Sequence, residues 1–92
     1  GSFNYNITLA ANTQYTLTVR ARVANNGQSF WLGVTDLSTG TTLDNELVTN
    51  AGGYQLHTLT FTTGNSERTH NIFMWNNQGG DYYADDFVLT AN

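Results

Sequence analysis

Apolar and polar residues alternate along most of the chain, and the pattern is clearest between Thr13 and Val23. Side chains of a β-strand point alternately to its two faces, so this segment predicts a strand with one buried face. Residues 30–35 predict a second strand, in which Phe30, Leu32 and Val34 face the core. The segment between these two strands is Asn25 to Ser29, which has the composition of a turn.

Five further segments predict short strands separated by turns rich in Asn, Gly, Ser and Thr. They are residues 3–9, expected at a sheet edge, and residues 42–49, 58–62, 69–75 and 82–90. No stretch of ten residues shows the period of an amphipathic helix. Such short strands indicate an all-β fold, either a sandwich or a small barrel. We favour a two-sheet antiparallel β-sandwich, because its two apolar faces bury each other.

Composition narrows the possible functions. The 92 residues fit one domain, which we place at 3–92 because Gly1 and Ser2 resemble the remnant of an expression tag. The chain has three Lys and Arg residues together against seven acids, and its net charge is -4. Binding to nucleic acid or to an anionic membrane therefore has no electrostatic driving force. The absence of Cys excludes disulfides, thiolate metal sites and a cysteine nucleophile.

The chain shows no signal for a membrane or a targeting segment. No apolar run approaches the roughly 18 residues that a membrane span needs. No charged and then apolar leader opens the chain either. We therefore expect a soluble domain whose sequence includes no signal peptide.

Three large aromatic side chains fall on the outward positions of the predicted strands, namely Trp31, Phe73 and Trp75. Exposed aromatic rings often mark a surface that a partner covers. Neighbouring Asn, Gln and Thr residues suit a sugar, because amides both donate hydrogen bonds to hydroxyls and accept them. We predict a glycan platform with Trp31 and Trp75 as anchors. Its predicted supports are Phe73, Tyr54, Tyr82, Asn76, Asn77 and Gln78.

The aromatic residues also fit arrangements in which they bind no sugar. Loops or an edge strand could cover the rings, and Tyr54 and Tyr82 could be structural. The rings could also pack against a neighbouring domain or a second copy of the chain, as in a structural or adhesive sandwich. For Arg20 and Arg22, a cross-strand charge pair with Asp86 is favoured over a role in binding an acidic sugar.

The titratable residues form no recognisable catalytic constellation. The candidates are His57, His70, Glu46, Glu67, Asp44, Asp81, Asp85 and Asp86. A glycosidase needs two carboxylates about 5 to 10 Å apart across a cleft, and a sandwich of this size offers little depth in which to keep one of them protonated. We therefore predict no enzymatic activity, and we expect both histidines to be exposed or structural.

Asp85 shares its strand face with Phe87 and Leu89, so the alternation predicts a carboxylate that points toward the core. A buried carboxylate must accept hydrogen bonds or coordinate a cation. Calcium is the plausible cation, since it takes carboxylate and carbonyl oxygens. Backbone or hydroxyl donors would satisfy Asp85 about as easily, and the loop of a helical calcium hand is absent from the sequence.

Four segments of the chain resemble, in order, a known group of modules. They are Leu9–Ala21, Leu59–Gly64, Ile72–Asn77 and Tyr82–Leu89. This ordered set is similar to carbohydrate-binding modules of the galactose-binding-like jelly-roll group, of the type of families four, sixteen and twenty-two. The resemblance implies a secreted, non-catalytic module of a larger polysaccharide-degrading enzyme, which binds β-linked glucan, mannan or xylan through aromatic residues on a concave face or in apical loops. We expect such a module to be a monomer.

The same resemblance implies a structural calcium site that uses Asp85. Members of the group carry additional strands ahead of the segment that corresponds to Leu9–Ala21. Only residues 3–8 precede it here, so we expect either a compact variant of the jelly roll or a trimmed one.

Overall fold

The computed structural model describes residues 2–92, and Gly1 lies outside the described residues. The seven strands are β1 (Ser2–Leu9), β2 (Gln14–Val23), β3 (Phe30–Asp36), β4 (Thr41–Val48), β5 (Gln55–Thr62), β6 (Arg68–Trp75) and β7 (Tyr82–Ala91). These bounds agree with the predicted strands to within one residue, except that β5 begins at Gln55 rather than Thr58. Ser2, which the sequence led us to set aside, takes part in β1. Within residues 2–92 there is no helix that could span a membrane.

The strands form two sheets that pack face to face. One sheet has four strands in the order β1-β6-β3-β4, and the other has three in the order β5-β2-β7. All neighbouring strands are antiparallel. The structure thus confirms the predicted antiparallel β-sandwich and the position of β1 at a sheet edge. Because β6 lies between β1 and β3, neighbours in the sheet come from distant parts of the chain.

The core lies between the two sheets and is formed by the apolar positions of the alternating strands. Its residues are Leu9, Leu17, Val19, Ala21, Val23, Phe30, Leu32, Val34, Val48, Leu59, Phe61, Ile72 and Met74. Burying a side chain of Val or Leu size contributes about 1.5 to 3 kcal/mol, so this cluster is the main source of stability. His70 is also fully buried, and its Nδ1 lies 3.0 Å from the carbonyl oxygen of Arg68. This is the structural position that we expected for a histidine.

A buried ion pair joins β3 to the start of β6. Asp36 is only 3% exposed. Arg68 Nη1 donates to Asp36 Oδ2 at 2.9 Å, and the backbone N–H of Ser38 donates to Asp36 Oδ1 at 2.9 Å. The carboxylate is therefore compensated by one guanidinium and one peptide group, as a buried charge requires.

A β-bulge in β7 reverses the direction of the side chains before it. Thr18 pairs with Val88 but Arg20 pairs with Asp85, so β7 contains one more residue than β2 over this stretch. The bulge lies at Asp86, whose φ of 55° is a left-handed conformation that Asp adopts more readily than most residues. Asp85 consequently lies opposite the outward-facing Arg20, and the predicted inward direction of Asp85 is wrong.

Candidate functional site

Strand pairing arranges the outer face of the four-stranded sheet into three rows that run across the strands. The first row is Ser2, Trp75, Trp31 and Leu47; the second is Asn4, Phe73, Gly33 and Asn45; the third is Asn6, Asn71, Thr35 and Thr42. The face therefore changes from aromatic and apolar at one end to amide and hydroxyl groups at the other. We call this face the platform.

The two tryptophans of the chain form the centre of the aromatic row. Trp31 on β3 and Trp75 on β6 are direct partners in the ladder, which places their Cα atoms about 4.5 to 5.5 Å apart. They are 37% and 45% exposed, respectively. Both indoles thus face solvent, as the alternation predicted, and neither is covered by a loop or enclosed in the core.

Phe73 owes its position to a glycine on the neighbouring strand. Gly33 lies opposite Phe73 in the ladder, and a Cβ atom at residue 33 would overlap the end of the Phe73 ring. Because Gly33 has no side chain, the ring lies against the backbone of β3. Phe73 is half-buried and forms the floor of the platform between the aromatic and polar rows.

The polar row is uncharged and internally hydrogen-bonded. Asn71 Nδ2 donates to Asn6 Oδ1 at 2.8 Å, and the hydroxyl oxygens of Thr35 and Thr42 lie 3.4 Å apart. A groove of about 400 Å³ runs over the platform, lined by Ser2, Asn4, Trp31, Thr35, Asn45, Asn71, Phe73, Met74 and Trp75. None of these residues carries a charge, so the groove suits a neutral ligand with apolar and hydroxyl groups.

The structure separates several of the predicted support residues from the platform. Tyr54 precedes β5 and lies near Arg22 of β2, on the three-stranded sheet opposite the platform. The Tyr82 ring stacks on Phe30 at a centroid distance of 4.5 Å, and its hydroxyl donates to the Met74 carbonyl at 3.4 Å. Burial raises the pKa of Tyr82. Tyr82 therefore has the structural contacts that were the alternative left open for it, whereas Tyr54 is exposed and lies away from the platform.

The predicted amides of the loop after β6 divide into two kinds. Asn76 is only 7% exposed, so it does not fit the predicted role of a ligand-binding side chain. Asn77 and Gln78 are exposed and directly follow Trp75, and their role in binding stays a prediction.

Sequence reasoning missed the amides that lie on the platform itself. They are Asn4, Asn6, Asn45 and Asn71. The alternation contained a signal for them, since each occupies a position between inward-facing residues of its strand. Only the order of strands in the sheet, however, brings these amides beside the tryptophans.

Asp85 lies on the outer face of the three-stranded sheet, opposite Arg20. Its side chain is exposed, and its Oδ1 accepts a hydrogen bond from the backbone N–H of Asp86 at 2.8 Å. Across residues 2–92, no three His, Cys, Asp or Glu side chains come together in a way that could hold a metal. The calcium role that the family resemblance implies for Asp85 stays a prediction.

His57 belongs to a hydrogen-bond network that fixes the loop before β5. Its Nδ1 lies 2.7 Å from Glu46 Oε2, and its Nε2 lies 2.8 Å from Asn50 Oδ1. Asn50 Nδ2 donates at 2.8 Å to the carbonyl groups of Ala21 and Gly53. The histidine thus connects β4, β5 and the loop, which is the structural role expected for it.

The expected surface charge pair forms for one of the two arginines. Arg20 Nε lies 3.7 Å from Asp86 Oδ2. Both side chains are more than half exposed, so the pair contributes little to stability. Arg22 instead lies over the rings of Tyr54 and Tyr83.

A second apolar opening lies between β1 and β7, which are edge strands of different sheets. This cleft of about 340 Å³ is lined by Phe3, Tyr5, Ile7, Leu17, Ile72, Phe87 and Leu89. The rings of Phe3 and Phe87 stack across it at 5.9 Å, and each residue is 40% exposed. The sandwich is therefore open on this side, with aromatic groups that face solvent.

Comparison with solved structures identifies the fold. The chain is similar to a structure described as "CBM4 structure and function", with a TM-score of 0.76 and 17% sequence identity. The similarity covers 99% of this chain and 61% of the other. The chain therefore shares the jelly-roll β-sandwich fold of that structure. The fold that the sequence resemblance implied is thus confirmed.

Comparison with characterised proteins gives a relative of much greater length. A keratan-sulfate endo-1,4-beta-galactosidase of Sphingobacterium multivorum is 35% identical over 81 residues, which cover 88% of this chain. The same match covers 18% of the enzyme. No protein-family model matches the chain. The chain therefore spans less than a fifth of the length of this relative.

Proposed function

We propose that the chain is a non-catalytic carbohydrate-binding module that holds a neutral polysaccharide along the platform. The observation that carries this proposal is the pairing of Trp31 with Trp75 across β3 and β6, on an open face. Aromatic rings are costly to expose to water. Here they lie beside uncharged amides, which are the groups that complement sugar hydroxyls.

Each part of the platform has a distinct role in this proposal. The indoles of Trp31 and Trp75 stack on the C–H faces of sugar rings, and Phe73 supports the glycan between the aromatic row and the polar row. Asn4 and Asn45 flank Phe73 on the two sides of the second row, where their amides exchange hydrogen bonds with hydroxyl groups. Because the groove is open, it covers only part of each sugar, and affinities of about -8 to -4 kcal/mol, micromolar to millimolar, are expected.

The family resemblance and the relative together define the ligands to test. Modules of the resembled group bind β-linked glucan, mannan and xylan. The name of the relative adds keratan sulfate and galactose-containing chains. Since the match spans 18% of that enzyme, we propose that this chain is a monomeric module that targets an appended, secreted glycosidase to its substrate.

Intrinsic fluorescence tests the proposal, because both tryptophans of the chain lie on the platform and no other tryptophan contributes to the emission. Titration with soluble β-glucan, mannan, xylan or galactan should change the emission of Trp31 and Trp75 saturably for at least one glycan. The chain should release no reducing sugar from that glycan. An emission spectrum unchanged by every member of the panel would contradict the proposal.

The cleft between β1 and β7 supports a second candidate function, a structural domain that packs on a neighbouring domain or a second copy of the chain. Phe3, Tyr5 and Phe87 are 40%, 56% and 40% exposed there. Sedimentation velocity distinguishes the two functions. A concentration-dependent dimer that does not respond to glycans supports packing, whereas a monomer that binds a glycan supports the platform.

A further inference from the structure

The outer face of the three-stranded sheet carries a second group of aromatic side chains around one cation. Arg22 on β2 pairs with Tyr83 on β7, and Tyr54 directly precedes the residue of β5 that pairs with Ala21. The guanidinium carbon of Arg22 lies 4.5 Å from the ring centroid of Tyr83 and 5.3 Å from that of Tyr54. Both distances are within the range of a cation–π interaction.

Among residues 2–92, Arg22 is the arginine without a carboxylate partner. Arg20 pairs with Asp86 and Arg68 pairs with Asp36. Arg22 Nη1 makes one long contact of 3.4 Å to the carbonyl oxygen of Val23. A guanidinium has five N–H donors, so most donors of Arg22 have no acceptor among residues 2–92. This is unusual in a chain with seven acids and a net charge of -4.

The position of Tyr54 does not depend on its contact with Arg22. Asn50 Nδ2 already holds the loop by donating to the carbonyl groups of Ala21 and Gly53. Tyr54 and Tyr83 are 47% and 39% exposed. Two acids flank Tyr83 at two residues' distance along the chain. Asp85 lies opposite Arg20 and accepts a hydrogen bond from the backbone N–H of Asp86, and the carbonyl oxygen of Asp81 accepts one from the backbone N–H of Ala24; neither carboxylate pairs with Arg22.

We infer that Tyr54, Arg22 and Tyr83 form a second glycan site, on the sheet opposite the platform, for a sugar that carries an oxyanion. A sugar ring would lie against the tyrosine rings while its carboxylate or sulfate accepts hydrogen bonds from the planar fork of Arg22. Guanidinium groups bind such oxyanions in a bidentate manner. The inference does not rest on the platform, because it involves different residues on a different sheet.

Two pairs of probes that differ only in charge test this site. One pair is an oligogalacturonate and its methyl ester, and the other is a keratan sulfate oligosaccharide and its desulfated form. In ¹H–¹⁵N spectra, at least one charged probe should shift the signals of Tyr54, Arg22 and Tyr83, and its neutral counterpart should not. The pair whose charged member binds shows whether the site takes a carboxylate or a sulfate.

Variants of Arg22 complete the test. Arg22→Gln should weaken binding of the charged probe at least about tenfold, as expected for loss of a charged hydrogen bond, and Arg22→Lys should restore only part of it. Arg20→Gln is the matched control, because it removes the same charge from an arginine that already pairs with Asp86, and it should leave this binding unchanged. The inference is overturned if charged and neutral probes bind alike, if no probe shifts these signals, or if Arg22→Gln binds as the wild type. Should Arg22→Gln fail to fold, the spectra of the wild type decide.

Discussion

Replacement of Trp75 by Ala removes one of the two paired indoles and leaves the rest of the platform in place. Trp75 is the last residue of β6, and its side chain lies on the outer face of the sheet. The substitution should therefore cost at most about 1 kcal/mol of folding stability, which is the upper range for a cross-strand pair. We expect the fold to persist and glycan affinity to fall.

The loss of affinity follows from the area that Trp75 presents. An indole of roughly 250 Å² that is 45% exposed offers roughly 110 Å² to a ligand, and a sugar lying on one face covers about half of that. At about 25 cal/mol for each Å² removed from water, this contact contributes roughly 1.4 kcal/mol. Trp75→Ala should therefore weaken binding about tenfold.

Affinity electrophoresis in a gel that contains the best glycan of the panel measures this change. Leu37→Ala is a suitable control, because Leu37 is 48% exposed and lies outside the groove lining. The control should migrate as the wild type, and Trp75→Ala should lose most of its retardation. Equal retardation of Trp75→Ala and the wild type, with both folded, would refute the assignment of Trp75 to the binding surface.

Three further substitutions test individual contacts. Gly33→Ala should push the ring of Phe73 away from β3 and weaken glycan binding about fivefold. The melting temperature should change by less than about 4 °C, and an affinity equal to that of the wild type would contradict this prediction. Arg68→Met leaves the Asp36 carboxylate buried and unpaired, so the free energy of unfolding measured in urea should fall by about 3 kcal/mol. The control Arg20→Met, which breaks an exposed pair, should lower it by less than about 1 kcal/mol. Equal losses in the two variants would be inconsistent with a buried pair. Burial raises the pKa of Tyr82 above that of the unfolded chain, so its contribution is complete below about pH 10 and is lost as the pH rises further. Tyr82→Phe should therefore reduce the decline of the melting temperature between about pH 9 and pH 11, and an unchanged decline would argue against burial of the phenol.

Alternation alone was sufficient to predict most of the fold and the outward position of both tryptophans. Because side chains on a strand follow a strict period of two, burial of Leu32 and Val34 places Trp31 on the outer face. The same argument holds for Trp75 beside Met74. These predictions depend only on neighbours within one strand, where the sequence contains the necessary information.

The failures have physical causes that local alternation does not reveal. The bulge at Asp86 adds one residue to β7 and turns Asp85 outward. Strict alternation from Leu89, which takes no account of a bulge, therefore predicted the inward face for Asp85. Asn4 and Asn71 join the platform because β1 pairs with β6, and that pairing joins distant parts of the chain. Asn76 follows β6 directly, but the chain buries it at the end of the strand.

The central claim is that the paired indoles of Trp31 and Trp75 contact the glycan, and two-dimensional ¹H–¹⁵N NMR tests it most directly. The chain has two indole N–H groups, so their signals can be assigned with one Trp→Phe variant. During titration with the best-binding oligosaccharide, both indole signals should shift with one common dissociation constant. If the oligosaccharide binds while both indole signals stay in place, the platform is not its binding site.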